Sequence, residues 1–294
     1  MRVSSNAVYN TIIGNLSRNS ERLLKAQVKV ATEKRINKPS DDPVGMGKVL
    51  DYRKRLASID QYQGNIAKGK TRIQMTETTL DMVSNLLTDA KNIAMDQSTG
   101  SVESSDRAIA AEQIAAIREQ VLQLANTRLG GQYIFAGHKT HEPAFSDTGA
   151  YDGDSGEIKI IINEKSEVKI NLTGEDIFGP NGSNVFDALD DLQNALEEPV
   201  YVQSTVAAQG NLLAEARDQV NLGRASSAST FKRLEGCDGM LDSFKLRIED
   251  MLSKTEGADL ATAIVELQFE ERAYEASLAA SARVMQPSLL NFLK

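Results

Sequence analysis

Residues 49–87 read VLDYRKRLASIDQYQGNIAKGKTRIQMTETTLDMVSNLL. Val49, Tyr52, Leu56, Ile59, Gln63, Ile66, Lys70, Ile73, Glu77 and Leu80 recur at steps of three and four, and Leu87 extends the row. That rhythm places them on one face of a helix and predicts a long amphipathic one. The stretch holds no proline, which would cost about 3 kcal/mol inside a helix. The six prolines stand at 39, 43, 143, 180, 199 and 287. Long helices therefore belong between Pro43 and Pro143 and between Pro199 and Pro287.

Outward from this stretch the same rhythm returns. Ser98-Thr99-Gly100-Ser101 breaks the first helix. A second seam then runs through Ala110, Ile114, Ile117, Val121 and Leu124 and stops at Gly130-Gly131. The later proline-free interval carries Val206, Leu213, Val220, Ser227, Thr230, Leu234, Cys237, Leu241, Phe244, Ile248 and Met251, with Gly257 after its end. A helix of about 50 residues would span about 75 Å, so these segments predict rods.

Both ends of the chain also carry heptad-like seams. Tyr9, Ile12, Leu16, Asn19, Leu23, Ala26 and Val30 form one, and Leu260, Ile264, Leu267, Glu271, Tyr274, Leu278, Ser281 and Met285 the other. Such a stripe is buried only when another helix covers it. Of these, Ile12, Leu16, Leu23, Val30, Leu260, Ile264, Leu267, Tyr274, Leu278 and Met285 are the candidate contacts between terminal helices or between subunits. Lys38 and the loop Pro39-Ser40-Asp41-Asp42-Pro43 separate the first seam from the long helix and form a candidate hinge. Each proline biases its predecessor away from the helical region, and Asp41 or Asp42 is placed to cap the helix that follows.

Residues 136–184 differ. They hold seven of the twenty glycines. Ile158, Ile160 and Ile162 alternate with Lys159 and Ile161, and Val168 and Ile170 with Lys169 and Asn171, around a turn at Asn163-Glu164-Lys165-Ser166. Period two predicts strands, followed by a short helix near Val185–Glu197. The predicted fold is mainly α, with long antiparallel helical rods, packed N- and C-terminal helices and a small β-rich insertion. Its expected domains are a terminal coiled-coil domain (1–38 and 258–294), a central helical-rod domain (39–135 and 200–257) and an outer insertion (136–199).

Composition excludes several functions. The net charge is −8 with no Trp, which disfavours nucleic acid as a partner. Residues 1–40 carry eight Lys/Arg against two Asp/Glu, whereas 141–200 carry three against fourteen. No run approaches the about 20 apolar residues of a membrane span, and the first residues lack the apolar core of a secretory signal. Cys237 is the only cysteine, so no internal disulfide forms. His138 and His141 lie between Gly137 and Pro143 with no third ligand in view, so no metal is expected. Asp152-Gly153-Asp154-Ser155-Gly156-Glu157 lacks the later ligands of a calcium loop. Gly130-Gly131 neither follows a predicted strand nor opens a helix, so a phosphate cradle fails. Asn15-Leu16-Ser17 and Asn171-Leu172-Thr173 match a glycosylation acceptor, a triplet that also arises by chance. No catalytic set, cofactor or small-molecule substrate emerges, and the chain reads as an assembly part and not an enzyme.

One stretch is more specific. Lys34-Arg35-Ile36-Asn37-Lys38-Pro39-Ser40-Asp41-Asp42-Pro43 resembles the signature after the first helix of the flagellin family, in the form its hook-associated branch takes. Met1-Arg2-Val3-Ser4, Gln61-Tyr62 with Asn65, Gly131-Gln132-Tyr133-Ile134-Phe135-Ala136-Gly137, Tyr151-Asp152-Gly153-Asp154 and Ser288-Leu289-Leu290-Asn291-Phe292-Leu293 are similar to other elements of it. Glu33 and Asn291 depart from the Gly and Asp often found there. The resemblance implies terminal helices forming an inner tube, helical rods outside it, and the insertion outermost. It implies a structural junction protein that adapts hook-associated protein 1 to the flagellin filament. Its partners would be a ring of like subunits, hook-associated protein 1, flagellin and a flagellar export chaperone. Its place would be extracellular, at the hook–filament junction, after unfolded type III export without a cleaved signal. A flagellin itself is the alternative within the family. A needle-tip or translocator protein of a type III secretion system is the alternative from another class.

Overall fold

The computed structural model describes residues 2–99, 102–180 and 184–285. Seven helices and four short strands appear among them: α1 (Arg2–Thr32), α2 (Pro43–Ser98), α3 (Ser104–Ala125), β1 (Arg128–Leu129), β2 (Gln132–Tyr133), β3 (Lys159–Asn163), β4 (Ser166–Lys169), α4 (Gly174–Phe178), α5 (Val185–Glu197), α6 (Gln203–Glu256) and α7 (Leu260–Met285). The fold is mainly α, with long helices and small antiparallel sheets, as the seams and the alternation predict. The long proline-free intervals become α2 and α6, 56 and 54 residues.

The chain divides into two compact units, residues 1–58 with 244–294 and residues 59–243. The second holds almost all of the core. Leu80, Val83 and Leu87 of α2, Ile114 and Val121 of α3, Leu189 and Leu192 of α5, and Val206, Leu213 and Val220 of α6 are all fully buried. Of these, Leu80, Leu87, Ile114, Val121, Val206, Leu213 and Val220 are seam positions read from the sequence, whereas the seam positions Gln63, Lys70, Glu77 and Thr230 are only half-buried. α5 begins where its sequence says it should. Asn184 accepts from the N–H groups of Phe186 and Asp187, while Asp187 accepts from the Asn184 N–H, a reciprocal cap.

An aromatic cluster ties the irregular segment after β2 to α4 and α5. The Phe145 ring lies 5.2 Å from Tyr151, 5.2 Å from Phe178 and 5.1 Å from Phe186, and Phe135 meets Phe178 at 5.6 Å. These separations suit tilted and edge-on pairs. Burial and nearby carboxylates push the Tyr151 hydroxyl up to about 12. That hydroxyl donates to the backbone carbonyls of Phe135 and Asp154.

One reading is corrected. Gly130-Gly131 does follow a strand. It turns β1 into β2, with φ of +59° and +82°, the left-handed pair a two-residue hairpin needs. The alternation within the insertion is borne out. One antiparallel hairpin, β3–β4, pairs Ile160 with Val168. Its packing leaves no room at Gly69 of α2, where a Cβ would come 2.7 Å from Ile160 Cδ1. The candidate chemical groups have structural duties. The His138 N–H donates to Asp154 Oδ1 at 2.7 Å, and its Nε2 lies 3.1 Å from the Glu157 carbonyl. The buried Asn171 amide accepts from the Ile158 N–H and donates to the Gly156 carbonyl. The Cys237 thiol, its pKa raised by burial, lies 3.7 Å from the Ile162 carbonyl.

Candidate assembly surface and its joint

The first unit is built around a joint. α1 ends at Thr32, and Glu33 follows in the left-handed region at φ +58°. The chain then runs beside the end of α6. The Arg35 N–H donates to the Glu256 carbonyl at 2.7 Å, the Ala258 N–H donates to the Glu33 carbonyl at 2.9 Å, and Lys34 bridges Gly257 antiparallel. Gly257 has no space for a side chain, since a Cβ there would sit 2.5 Å from the Ser253 carbonyl oxygen. The Glu256 side chain is only 6% exposed, and its carboxylate meets Lys34 Nζ at 2.6 Å and Arg53 at 2.5 Å. A buried charge persists where it is paired. No sequence pattern marks Glu256, because its partners lie some 200 residues away.

The candidate hinge residues form a turn within this joint. The Asp41 N–H donates to the Lys38 carbonyl at 2.9 Å around exposed Pro39 and Ser40, with proline at the position where its fixed φ suits a turn. Asp41 reaches backward, accepting from the Asn37 and Lys38 N–H groups at 3.1 and 3.0 Å. Asp42 reaches forward to the Gly45 N–H at 2.8 Å and so caps α2, which opens at Pro43. These backbone donors hold both carboxyls below their ordinary pKa.

α1 and α7 pack against each other, tied by Asn19 Nδ2 donating to Ser277 Oγ at 3.1 Å and by Lys29–Glu266 at 2.7 Å. On α1, Ile12, Leu16, Leu23 and Val30 are half-buried and Ala26 is buried. On α7 the covered row is Ala263, Leu267, Glu270, Tyr274, Ser277 and Ser281. Leu267 and Tyr274 are therefore in it. Ile264 and Leu278 lie one position along and stay 45% and 42% exposed, and Leu260, the first residue of α7, is 40% exposed. Met285 is the last helical residue, and its side chain lies outside the described ones. Exposed Ile13 and Leu24 on α1 and Val265 and Phe269 on α7 were not among the sequence candidates.

The imbalance in this unit is large. Among the described residues, only Ala26, Ile36, Val49 and Ala263 of the 40 buried apolar residues belong to it, against 14 of the 23 exposed large ones. An exposed apolar surface of this kind makes the unit the candidate interaction surface. No group of three or more His, Cys, Asp or Glu among the described residues could hold a metal, and no described helix is long and apolar enough to cross a membrane.

Residues 3–140 match the family described as the bacterial flagellin N-terminal helical region. The chain is 28% identical to flagellar hook-associated protein 3 of Escherichia coli K12 over 100% of both chains. It is also 28% identical to flagellar hook-associated protein 3 of Salmonella typhimurium, over 77% of this chain and 75% of that one. A solved structure described as a flagellar hook-associated protein from Vibrio parahaemolyticus superposes with a TM-score of 0.70 at 26% identity, covering 74% of this chain and all of that one. The joint, the paired terminal helices and these likenesses agree: the chain is a homologue of flagellar hook-associated protein 3, with a flagellin-type N-terminal helical region.

Proposed function

We propose that this protein is a structural subunit of the bacterial flagellum at the hook–filament junction, where it adapts hook-associated protein 1 to the flagellin filament. The reading rests on the homologues' name and on the first unit's four buried against fourteen exposed apolar residues. An autonomous enzyme has no use for that surface; a subunit covers it with neighbours. In this reading the contacts are the terminal-helix residues Ile12, Leu16, Leu23, Val30, Leu260, Ile264, Leu267, Tyr274, Leu278 and Met285, with Pro39–Pro43 as the hinge. Like subunits, hook-associated protein 1, flagellin and an export chaperone are the partners. Export is through the flagellar type III apparatus, without a cleaved signal. The absence of disulfides suits a chain that passes a narrow channel unfolded.

Deletion of the coding gene in the native host tests this. The expected outcome is hooks without filaments by negative-stain microscopy and flagellin shed into the medium, both reversed by the gene in trans. Normal filaments in the deletion strain would overturn the reading.

A further inference from the structure

The segments that leave α1 and α6 finish each other's helix. The last carbonyls of a helix have no partner within it. At the end of α6 the Glu256 carbonyl accepts from the Arg35 N–H at 2.7 Å, and the Thr255 carbonyl accepts from Arg35 Nη2 at 2.9 Å. Just past the end of α1 the Glu33 carbonyl accepts from the Ala258 N–H at 2.9 Å. Cations at a helix C-terminus also meet the negative end of its dipole, and Lys34 and Arg35 both stand there. Lys34 Nζ and Arg53 then close on the Glu256 carboxylate. Lys34 belongs to the segment after α1 and Arg53 to α2, so one buried carboxylate of α6 holds both.

The next residue fixes the same segment against α2. Ile36 is 1% exposed, and a Cβ on Gly45 would come 2.5 Å from Ile36 Cδ1. Beyond Ile36 the character changes. Asn37, Lys38, Pro39, Ser40 and Asp41 are all exposed. Among the described residues their hydrogen bonds go to one another, apart from Asn37 Nδ2 donating to the Lys34 carbonyl at 3.0 Å. The turn that joins α1 to α2 along the chain thus bonds within itself and not to α1, α2 or α6.

We propose that α1 is fastened to the end of α6 and not through its covalent link to α2. Glu256 is the clasp, residues 33–36 are the part it holds, and the Asn37–Asp41 turn is slack. Cutting the turn leaves α1 in place. The clasp is a property of the folded chain, whatever covers the terminal helices. Its consequence in a loaded assembly rests on the junction reading above: force on α1 enters α6 directly, and the proline loop bends without carrying it.

The test cuts the turn. A recognition sequence for a site-specific protease is inserted between Ser40 and Asp41 of the full chain, where exposure suits insertion, and the chain is cleaved there. The nicked protein is expected to keep its N-terminal fragment through gel filtration at about 1 µM. Amide exchange of Arg35 and Ala258, whose N–H groups cross the joint, should stay at the uncut rate. Two substitutions loosen the clasp by different means. Glu256→Gln removes the charge that Lys34 and Arg53 share and keeps the shape. Gly257→Ala leaves every charge in place but sets a Cβ 2.5 Å from the Ser253 carbonyl oxygen. Each should speed exchange at Arg35 and Ala258 at least about tenfold, and raise the dissociation constant of the nicked fragment by a similar factor. Circular dichroism of the uncut chains checks folding, and where one variant fails to fold the other decides. The proposal falls if the nicked wild type sheds its fragment at that concentration, if the nick alone speeds exchange as the substitutions do, or if a folded variant holds the fragment as tightly as the wild type. The assay does not involve the flagellum. Normal filaments in the deletion strain would end the junction reading and leave the clasp untouched, and a failed clasp would leave the junction reading standing.

Discussion

At the residue scale the joint concentrates the unusual local choices. Glu33 occupies a left-handed position, which disfavours an L side chain by about 1–2 kcal/mol, while glycine costs about 0.5–1 kcal/mol in chain entropy. The first effect is the larger, so Glu33→Gly should stabilise the joint by about 0.5 kcal/mol and Glu33→Val should destabilise it by more than that. Chemical denaturation with a probe on the first unit measures both, and a more stable Val variant would show that the backbone relaxes freely here. The family resemblance had marked Glu33 as a departure from Gly, but only the backbone angle says why glycine is common there. The sequence left Asp41 and Asp42 as alternative caps, since nothing in their spacing separates them; the structure gives the cap to Asp42 and turns Asp41 backward. The carboxyl of Asp42 is held below its ordinary value of 3.8, chiefly by the Gly45 N–H. A depressed folded pKa contributes stability above the unfolded value, lost as pH falls through the folded one. Local stability at the start of α2 should therefore decline only below about pH 4. Asp42→Asn keeps a good cap and should flatten that decline; amide exchange of Gly45 between pH 5 and pH 3 distinguishes the two chains.

At the element scale the sequence located helices well and assigned their faces less well. α5 lies where the sequence placed a short helix, and the structure adds the reciprocal cap of Asn184 and Asp187 that starts it. α4, five residues long, is too short to show a period. On α7 the heptad reading took in Leu260, Ile264 and Leu278, whereas the face against α1 is built from Ala263, Glu270 and Ser277 as well as the seam positions Leu267, Tyr274 and Ser281. Small residues let two helices approach closely, so the covered row is poorer in leucine than the uncovered one beside it. This separates two substitutions that the sequence treats alike. Leu267→Asp places a charge against α1 and should weaken both the terminal pair and assembly. Leu278→Asp lies on the exposed row and should abolish assembly while the circular dichroism and melting of the isolated chain stay unchanged. A Leu278→Asp strain that swims normally would remove that row from the assembly surface.

At the scale of the whole molecule, the core and most of the exposed large apolar residues lie in different parts of the chain. Among the described residues, 36 of the 40 buried apolar ones lie within 59–243, including Phe135, Phe145, Phe178 and Phe186. The aromatic cluster was illegible in advance because its members are scattered over the segment read as a β-rich insertion, and no period links them. Its weight is measurable. Phe145→Ala removes a ring with three aromatic neighbours and should cost about 3–5 kcal/mol, lowering the melting temperature of the full chain. Removal of residues 1–32 and 260–294 takes away only Ala26 and Ala263 from the buried apolar set. Burial drives cooperative melting at about 25 cal/mol per Å², so the shortened chain should melt cooperatively within a few degrees of the full one, even though about a fifth of the residues are gone. It should also lose any association with flagellar partners altogether, because most of the described exposed apolar residues of the first unit go with the deleted helices. Differential scanning calorimetry and sedimentation of the same sample decide the matter. A shortened chain that unfolds without a cooperative transition would mean that the terminal helices carry folding energy that burial does not reveal. One that still associates would place the assembly surface outside α1 and α7.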